Sequence, residues 1–463
     1  MCEQCQGRGK RHRKLSKKIK LAYQRAVDAY AQRGEGVAPV RPIGHLDACA
    51  HCNGRGILPA PNPPAADTEN HPHVAIIGAG IGGVALAVAC LHRGIPFTLY
   101  ERDVGFDTRK QGYGLTLQQA HKAMAGLGVV EMAQGVVSTK HVVHTPDGTQ
   151  IAQWGMRHWE HVASNKTARR TNLHIPRQTL RGLLLAQLGE STAVKWGHQL
   201  LSYRTSEDDA SRIEMSFQVD GQIQHSSANL VVGADGIRST VRSLLLDEAI
   251  APLRYLGCIV ILGICPLSKL GFEHELLDAA TVFQTANGHE RMYMMPYTHD
   301  TIMWQLSFPM REIDAQTLSA QGAHALKAEA CRRVPWHDPI PQILAATDAA
   351  DITGYPVYDR ALLDPAALKD SGAITLLGDA AHPMSPFKGQ GANQAILDAL
   401  SLARGLSQPE WQKTGIRQSV LNAFELEMLE RSASKVKASQ EAAAFLHSDV
   451  VLLKEDKPRR LGD

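Results

Sequence analysis

The sequence predicts an α/β protein: a Rossmann-like, doubly wound nucleotide-binding domain, an inserted β-sheet domain, a C-terminal helix and a small N-terminal cysteine module. Three observations carry that expectation. A strand–glycine turn–helix–strand unit begins near residue 73, with "HVAIIGAGIGG" followed by "PFTLYER". Two later apolar strands run into turns built on Asp and Gly, at 229–242 and 374–393. The octet "CEQCQGRG" (2–9) returns almost unchanged as "CAHCNGRG" (49–56). With 463 residues, 44% of them hydrophobic, the chain has material for two or three cored domains.

The cysteine module is expected over residues 1–57. Its two C-x-x-C pairs supply Cys2, Cys5, Cys49 and Cys52, enough thiolates for a closed tetrahedral zinc site of structural type. A redox-active thiol pair and a metal-free head are the other readings of this spacing. Residues 1–60 hold twelve Lys and Arg against four Asp and Glu, although the whole chain is only +3. That basic stretch is either a solvated helix face or the surface for a nucleic-acid or protein partner. The knuckles resemble those of the J-domain co-chaperones, from which the 43 residues between Cys5 and Cys49 depart. Cys90, Cys258, Cys265 and Cys331 read as core thiols. No charged-then-apolar leader opens the chain, and cysteine usage suits a reducing cytoplasm. The most apolar run, 74–91, has its four glycines bunched at 78–83, so no membrane span is expected.

Residues 58–72, rich in Pro and polar side chains, read as a linker. After it, Gly78, Gly80 and Gly83 form a G-x-G-x-x-G between an apolar strand and an apolar helix. The first glycine makes the turn, the second admits a pyrophosphate and the third allows close helix–strand packing. Glu101 follows the second strand, where an acid meets the ribose hydroxyls of a dinucleotide. Asp379, at the end of a strand, suits hydrogen bonds from further sugar-like hydroxyls. The amides of 389–393 open a helix whose N-terminus favours a polar ring edge or an anion. Alternation at 194–235, with Asp220-Gly221 as a turn, predicts a meander, and strand-like runs over 255–310 predict a second sheet. Among their apolar residues, Phe283, Met295 and Trp304 face either a ligand or helices behind the sheet.

From about 71 to 440 the chain resembles the single-component flavin aromatic hydroxylases, the para-hydroxybenzoate hydroxylase-like FAD monooxygenases. It is most similar to the branch with tetracycline-inactivating and salicylate-hydroxylase-like enzymes. The matching segments are GAGIGG (78–83), ER (101–102), GADGIRSTVR (233–242) and GDAAHPMSPFKGQGAN (378–393). The resemblance implies a Rossmann-like FAD-binding domain (73–125, 170–245, 350–405), an inserted substrate-binding domain (126–169, 246–349) and a C-terminal helical region (406–463). It also implies that NADH or NADPH reduces the FAD, and that a flavin C4a-hydroperoxide hydroxylates a small aromatic or polycyclic substrate with O2. FAD contacts are implied for Gly78, Gly80, Gly83, Glu101, Arg102, Arg109, Arg177, Asp235, Asp379, Pro386, Gly389, Gln390, Gly391, Ala392 and Asn393. No catalytic base is assigned; His382, Tyr113 and His174 are candidates by neighbourhood alone. A flavin halogenase is disfavoured, since "QWGMRHWEH" lacks the W-x-W-x-I-P pattern. A reductase or oxidase on the same fold, and a zinc- or nucleic-acid-binding redox sensor with a non-catalytic flavin domain, are the alternatives.

Overall fold

The structure, a computed structural model, describes residues 1–33, 39–40, 42, 45–108, 112–155, 172–189, 194–408 and 411–456. Its central sheet has five parallel strands in the order Val194–Lys195, Phe97–Tyr100, Val74–Ile77, Leu230–Gly233 and Ile374–Leu376. The inner strands are short continuous apolar runs because both faces are covered. Helices Ile81–Leu91 and Gly391–Leu406 pack side by side on the core, and the first buries all but its last residue. An antiparallel meander of Gln199–Thr205, Ile213–Val219 and Gln222–Ala228 adds Phe217, stacked on Tyr100 with ring centroids 4.3 Å apart. Its Asp220-Gly221 turn has positive φ at both residues, as a tight two-residue hairpin requires.

A seven-stranded sheet stands beside this domain. Its order is Ile352–Arg360, Leu253–Pro266, Thr301–Pro309, Arg291–Pro296, Thr281–Ala286, Lys140–His144 and Gln150–Trp154. All pairs are antiparallel except Thr281–Ala286 with Lys140–His144. Strand Ile352–Arg360, expected with the nucleotide-binding segments, instead pairs with Leu253–Pro266, because its register continues this sheet at an edge. A smaller sheet of Gly114–Leu117, Asn172–Pro176 and Val136–Ser138 bridges the two domains.

Period-two alternation gives the large sheet two unlike faces. Phe283, Met292, Met294, Trp304, Leu306 and Phe308 point into a dry core under helices Glu312–Ala320, Ala323–Arg333 and Ile340–Ala346. Trp304 fits because its cross-strand partner is Gly263, where a Cβ would lie 2.5 Å from the indole. Arg291, Tyr293, Met295, Met303 and Gln305 point the other way, toward the nucleotide-binding domain. Of the three residues expected to face ligand or helices, only Met295 faces the cavity. Cys331, expected as a core thiol, is exposed.

Helix Asn422–Phe445 crosses both domains and is pinned by a buried ionic chain. Asp398 accepts from His382 at 2.8 Å, from Arg431 at 2.8 Å and from the Gly378 amide at 2.9 Å. At the N-terminus, strands Lys10–His12 and Leu46–Ala48 pair antiparallel and hold the knuckles together. Residues 58–72 are tied to the body: the Asp67 amide donates to Gly94 O, and His71 Nδ1 lies 3.1 Å from Leu406 O.

Candidate functional site

A cavity of about 710 Å³ lies between the two domains. One wall is built from the glycine loop after Val74–Ile77, the turns after Leu230–Gly233 and Ile374–Leu376, and the start of helix Gly391–Leu406. These are carboxyl ends of parallel strands, where open α/β sheets place their ligands.

The three glycines have separable jobs. Gly78 has φ +104°, and a Cβ there would sit 2.6 Å from Ala234 O. A Cβ on Gly83 would lie 1.9 Å from Gly78 O, so this position sets the helix against its turn. At Gly80 the nearest atom to such a Cβ is Arg177 Nη2, 4.0 Å away, so among the described residues that space is open. Arg177 lines the cavity with its guanidinium 5.1 Å from the Tyr113 ring centroid.

Glu101 is buried, its Oε2 accepting from the Ala79 amide at 2.7 Å and its Oε1 from Asp103 N at 3.0 Å. It therefore fixes the glycine loop and lies beside the cavity rather than in its wall. Arg102 is exposed. Arg109 lies outside the described residues. Arg181, one turn beyond Arg177, donates from Nε to Ala79 O at 2.7 Å and braces the same loop. Its spacing from Arg177 on one helix face was the only sequence signal for it.

Asp235 is not part of the cavity wall: its Oδ2 accepts from the Thr240 and Val241 amides at 2.7 and 3.2 Å, holding the next helix start, while its Oδ1 is buried without a partner among the described residues. Burial raises its carboxyl above the usual range. Arg242, buried nearby, donates to Ala380 O at 3.0 Å and so joins the two Asp/Gly turns. Asp379 does face the cavity, alongside Gly378, Pro386, Lys388, Gly389, Gln390, Gly391 and Ala392. Its side chain stands open to the cleft, and the surrounding walls, by desolvating it, raise its carboxyl, opposed by the charges of His382 and Arg177. Asn393 is a clamp instead: its Oδ1 accepts from Gln118 and Ala120 amides, and its Nδ2 donates to Thr116 O and Gly389 O. Lys388 lies 4.7 Å over the Phe445 ring.

Of the candidate bases, His382 is committed to Asp398 and does not line this cavity. Burial works against its charge, but Asp398 overcomes it and holds the imidazole above its ordinary value. Tyr113 and His174 line the cavity. Burial raises the phenol and presses the His174 imidazole down to about 3, so it stays neutral, with Nδ1 3.0 Å from Thr116 Oγ1.

The opposite wall comes from the polar face of the large sheet. Arg291 is 6% exposed, donates from Nε to Gln284 Oε1 at 2.9 Å and lies 4.8 Å from the Tyr293 ring centroid. Among the described residues no carboxylate pairs with it. Burial lowers it to about 10, so it remains a cation at neutral pH. His141 and Trp154 stack at 5.4 Å on the same side.

These parts define a dinucleotide-binding type of fold with one cavity between the glycine loops and the polar face of the large sheet. Comparison with known proteins specifies the class. Residues 71–437 match the FAD binding domain family, and the chain belongs to it, a family whose members here are FAD-dependent aromatic monooxygenases. It is 25% identical to 6-hydroxynicotinate 3-monooxygenase of Pseudomonas fluorescens, over 73% of this chain and 83% of that enzyme. Aurachin C monooxygenase/isomerase of Stigmatella aurantiaca is 30% identical, over 72% and 80%. With 3-amino-4-hydroxybenzoate 2-monooxygenase of Streptomyces cremeus the identity is 27%, over 81% and 87%. The fold is shared with Klebsiella pneumoniae HpxO complexed with FAD and uric acid: TM-score 0.64, 22% identity, 82% and 88% coverage. It is shared also with 2,6-dihydroxypyridine-3-hydroxylase from Arthrobacter nicotinovorans: TM-score 0.66, 18% identity, 81% and 93% coverage. Among the described residues no helix is long and apolar enough to cross a membrane.

The residues present fit FAD. The space at Gly80 suits a pyrophosphate, the cavity-facing carboxylate of Asp379 suits a ribityl hydroxyl, and the amides from Gly389 to Ala392 suit a polar ring edge.

Proposed function

We propose that this protein is an NAD(P)H-dependent FAD monooxygenase that hydroxylates a small aromatic or heteroaromatic compound bearing an anionic group. The observation that carries the substrate class is Arg291, a buried cation facing the cavity, bonded to Gln284 and set over the Tyr293 ring, with no carboxylate paired to it among the described residues. An uncompensated buried charge is costly, and a substrate carboxylate or ring oxyanion in a charge-assisted pair removes that cost. The relatives named for hydroxynicotinate and aminohydroxybenzoate act on compounds of this kind.

When bound and reduced by NADH or NADPH, FAD supplies the activated oxygen from O2. The chain's own residues do the rest. Gly80 and Arg177 would hold the phosphates, and Asp379 the ribityl hydroxyls. The amides at 389–392 would offer fixed positive dipoles to the polar ring edge, an electrostatic role that needs no reorganisation. Arg291 turns the substrate so that its ring faces the cofactor wall, while Met295, Met303 and Tyr355 exclude water. The protonated Tyr113 phenol and neutral His174 line the same cavity, placed to hydrogen-bond a substrate hydroxyl rather than to take its proton.

We also propose a closed structural zinc site at Cys2, Cys5, Cys49 and Cys52. Their sulfurs all lie within 4.8 Å of one another, and Cys5 and Cys52 are 3.7 Å apart. A tetrahedron with Zn–S near 2.3 Å has edges of about 3.8 Å. All eight cysteines are free thiols, which supports a reducing, cytoplasmic setting. The helix Lys17–Arg33 is basic and buries none of its residues, which supports an acidic partner, nucleic acid or protein, for this module.

The test is NAD(P)H oxidation and oxygen uptake by the yellow holoprotein across aromatic carboxylates and matched neutral analogues. Hydroxylated product equal to oxygen consumed, with Arg291→Met raising KM for carboxylates at least tenfold and leaving neutral analogues alone, is the expected result. NAD(P)H consumption giving product without oxygen uptake sinks the monooxygenase assignment.

A further inference from the structure

The two knuckles are related by an approximate two-fold arrangement. The Cys2 amide donates to Gly56 O and the Cys49 amide to Gly9 O, each at 2.9 Å. Gly9 N donates to Cys5 Sγ at 3.3 Å, and Gly56 N to Cys52 Sγ at 3.2 Å. The same pairing continues outside the module. Arg93, just beyond helix Ile81–Leu91, donates from Nη2 to Gly7 O at 3.2 Å. Arg404, in the last turn of helix Gly391–Leu406, reaches the equivalent Gly54 O at 3.5 Å. Each knuckle thus receives one guanidinium from the flavin-binding domain.

Both cations are poorly provided for by the protein alone. Arg93 is 2% exposed and Arg404 half-buried; no carboxylate among the described residues pairs with either. The Nε of each is buried without a hydrogen-bond partner. Arg404 adds its own repulsion to Arg93, and the groups that oppose it are thiols: Cys90 and Cys5 beside Arg93, Cys5 and Cys52 beside Arg404. A helix C-terminus attracts cations, but an exposed side chain serves that purpose without desolvation. A divalent metal held by four thiolates is a dianion, and two guanidinium groups balance it.

We propose that Arg93 and Arg404 are the counter-charges of a metal–tetrathiolate centre, which thereby fastens the N-terminal module to the flavin-binding domain. The proposal rests on the zinc reading above and extends it from ligands to docking. Because the two arginines close the far ends of the helices whose beginnings line the FAD cavity, metal occupancy and flavin retention are linked through those helices.

The experiment uses the full-length holoprotein. Zinc content is measured per chain, and zinc release to a chromogenic pyridylazo chelator is timed. Arg93→Gln and Arg404→Gln are expected to speed release about tenfold. Arg404→Lys, which keeps the charge, stays within about threefold of the parent, and Arg25→Gln, which removes an exposed charge on helix Lys17–Arg33, changes nothing. Chelation of the parent is expected to lower the temperature of flavin release. Arg404→Gln is expected to lower it much less in a Cys2→Ser/Cys49→Ser background than in the zinc-bound protein. Equal release rates in all variants overturn the counter-charge proposal while leaving the zinc site standing. A parent protein with no zinc, and no tetrathiolate absorption on adding cobalt, overturns the zinc site itself. If the Gln variants are insoluble, soluble Lys variants with parental release support the charge role, and insoluble Lys variants overturn it in favour of shape.

Discussion

Helices Ile81–Leu91 and Gly391–Leu406 lie together, and their two ends are finished in opposite ways. At the N-terminal ends the chain supplies glycines, free amides and open space, so the partner is left to be a ligand. At the C-terminal ends Arg93 and Arg404 are covered by the knuckle module, so the partner is the protein itself. The same alignment of peptide dipoles serves both. An end that must exchange its ligand is kept bare, and an end that holds its partner permanently carries long, buried side chains.

The comparison breaks hardest at the first helix start. Gly83→Ala drives a Cβ into the Gly78 carbonyl and is expected to abolish soluble, yellow protein, read by expression and visible spectrum. Gly80→Ala is expected to fold, with normal circular dichroism, and to hold FAD more weakly. If the two variants behave alike, the division of labour among the glycines is wrong. Between the two ends of the second helix, Asp398→Asn strips the buried partner from His382 and Arg431 and is expected to cost about 3 kcal/mol in urea unfolding. Asp379→Asn, at the open end, is expected to weaken FAD about 10- to 100-fold in a flavin fluorescence titration, with little change in apoprotein stability.

The smallest effect is one of pH, at the sheet rather than the helices. His447, bonded to Ser307 Oγ and Ala443 O and facing Arg291, His289 and Glu290, is pressed to about 4, first by burial. Its folded value lies below the unfolded one, so the unfolded chain binds more protons in between. Stability is full above about pH 6.5 and falls as the pH drops toward 4. His447→Gln is expected to flatten the urea midpoint between pH 7.5 and 5.5 by about 1 kcal/mol relative to the parent.

What was legible in the sequence was local. Gly78, Gly80 and Gly83 are required by a turn and a close approach within a dozen residues, and Asp220-Gly221 is set by its own φ angles. Asp379 is legible because a strand, a Gly-Asp pair and a glycine-bracketed helix follow one another. Glu101 and Asp235 lie in the expected loops, and the bonds they also make to neighbouring amides are a detail no spacing announces. Asn393 closes on residues 116–120, more than 270 positions away, which a local pattern does not carry. Arg93, Arg404 and Arg291 look like ordinary basic residues until the fold buries them with no carboxylate paired to any of them among the described residues. Strand Ile352–Arg360 was misassigned for a related reason: its apolar and polar residues suit either sheet, and only long-range register decides.

The order of strands in the central sheet also sets an order in time. The four cysteines are complete once residue 52 has been made, whereas the last strand and Arg404 come some 350 residues later. At typical elongation rates that gap is roughly 20–70 s. On the proposed docking, Arg93 follows soon after Cys52 but Arg404 arrives only near the end, so the four sulfurs spend most of synthesis with half of their counter-charge. The long basic helix between the knuckles is present throughout that interval.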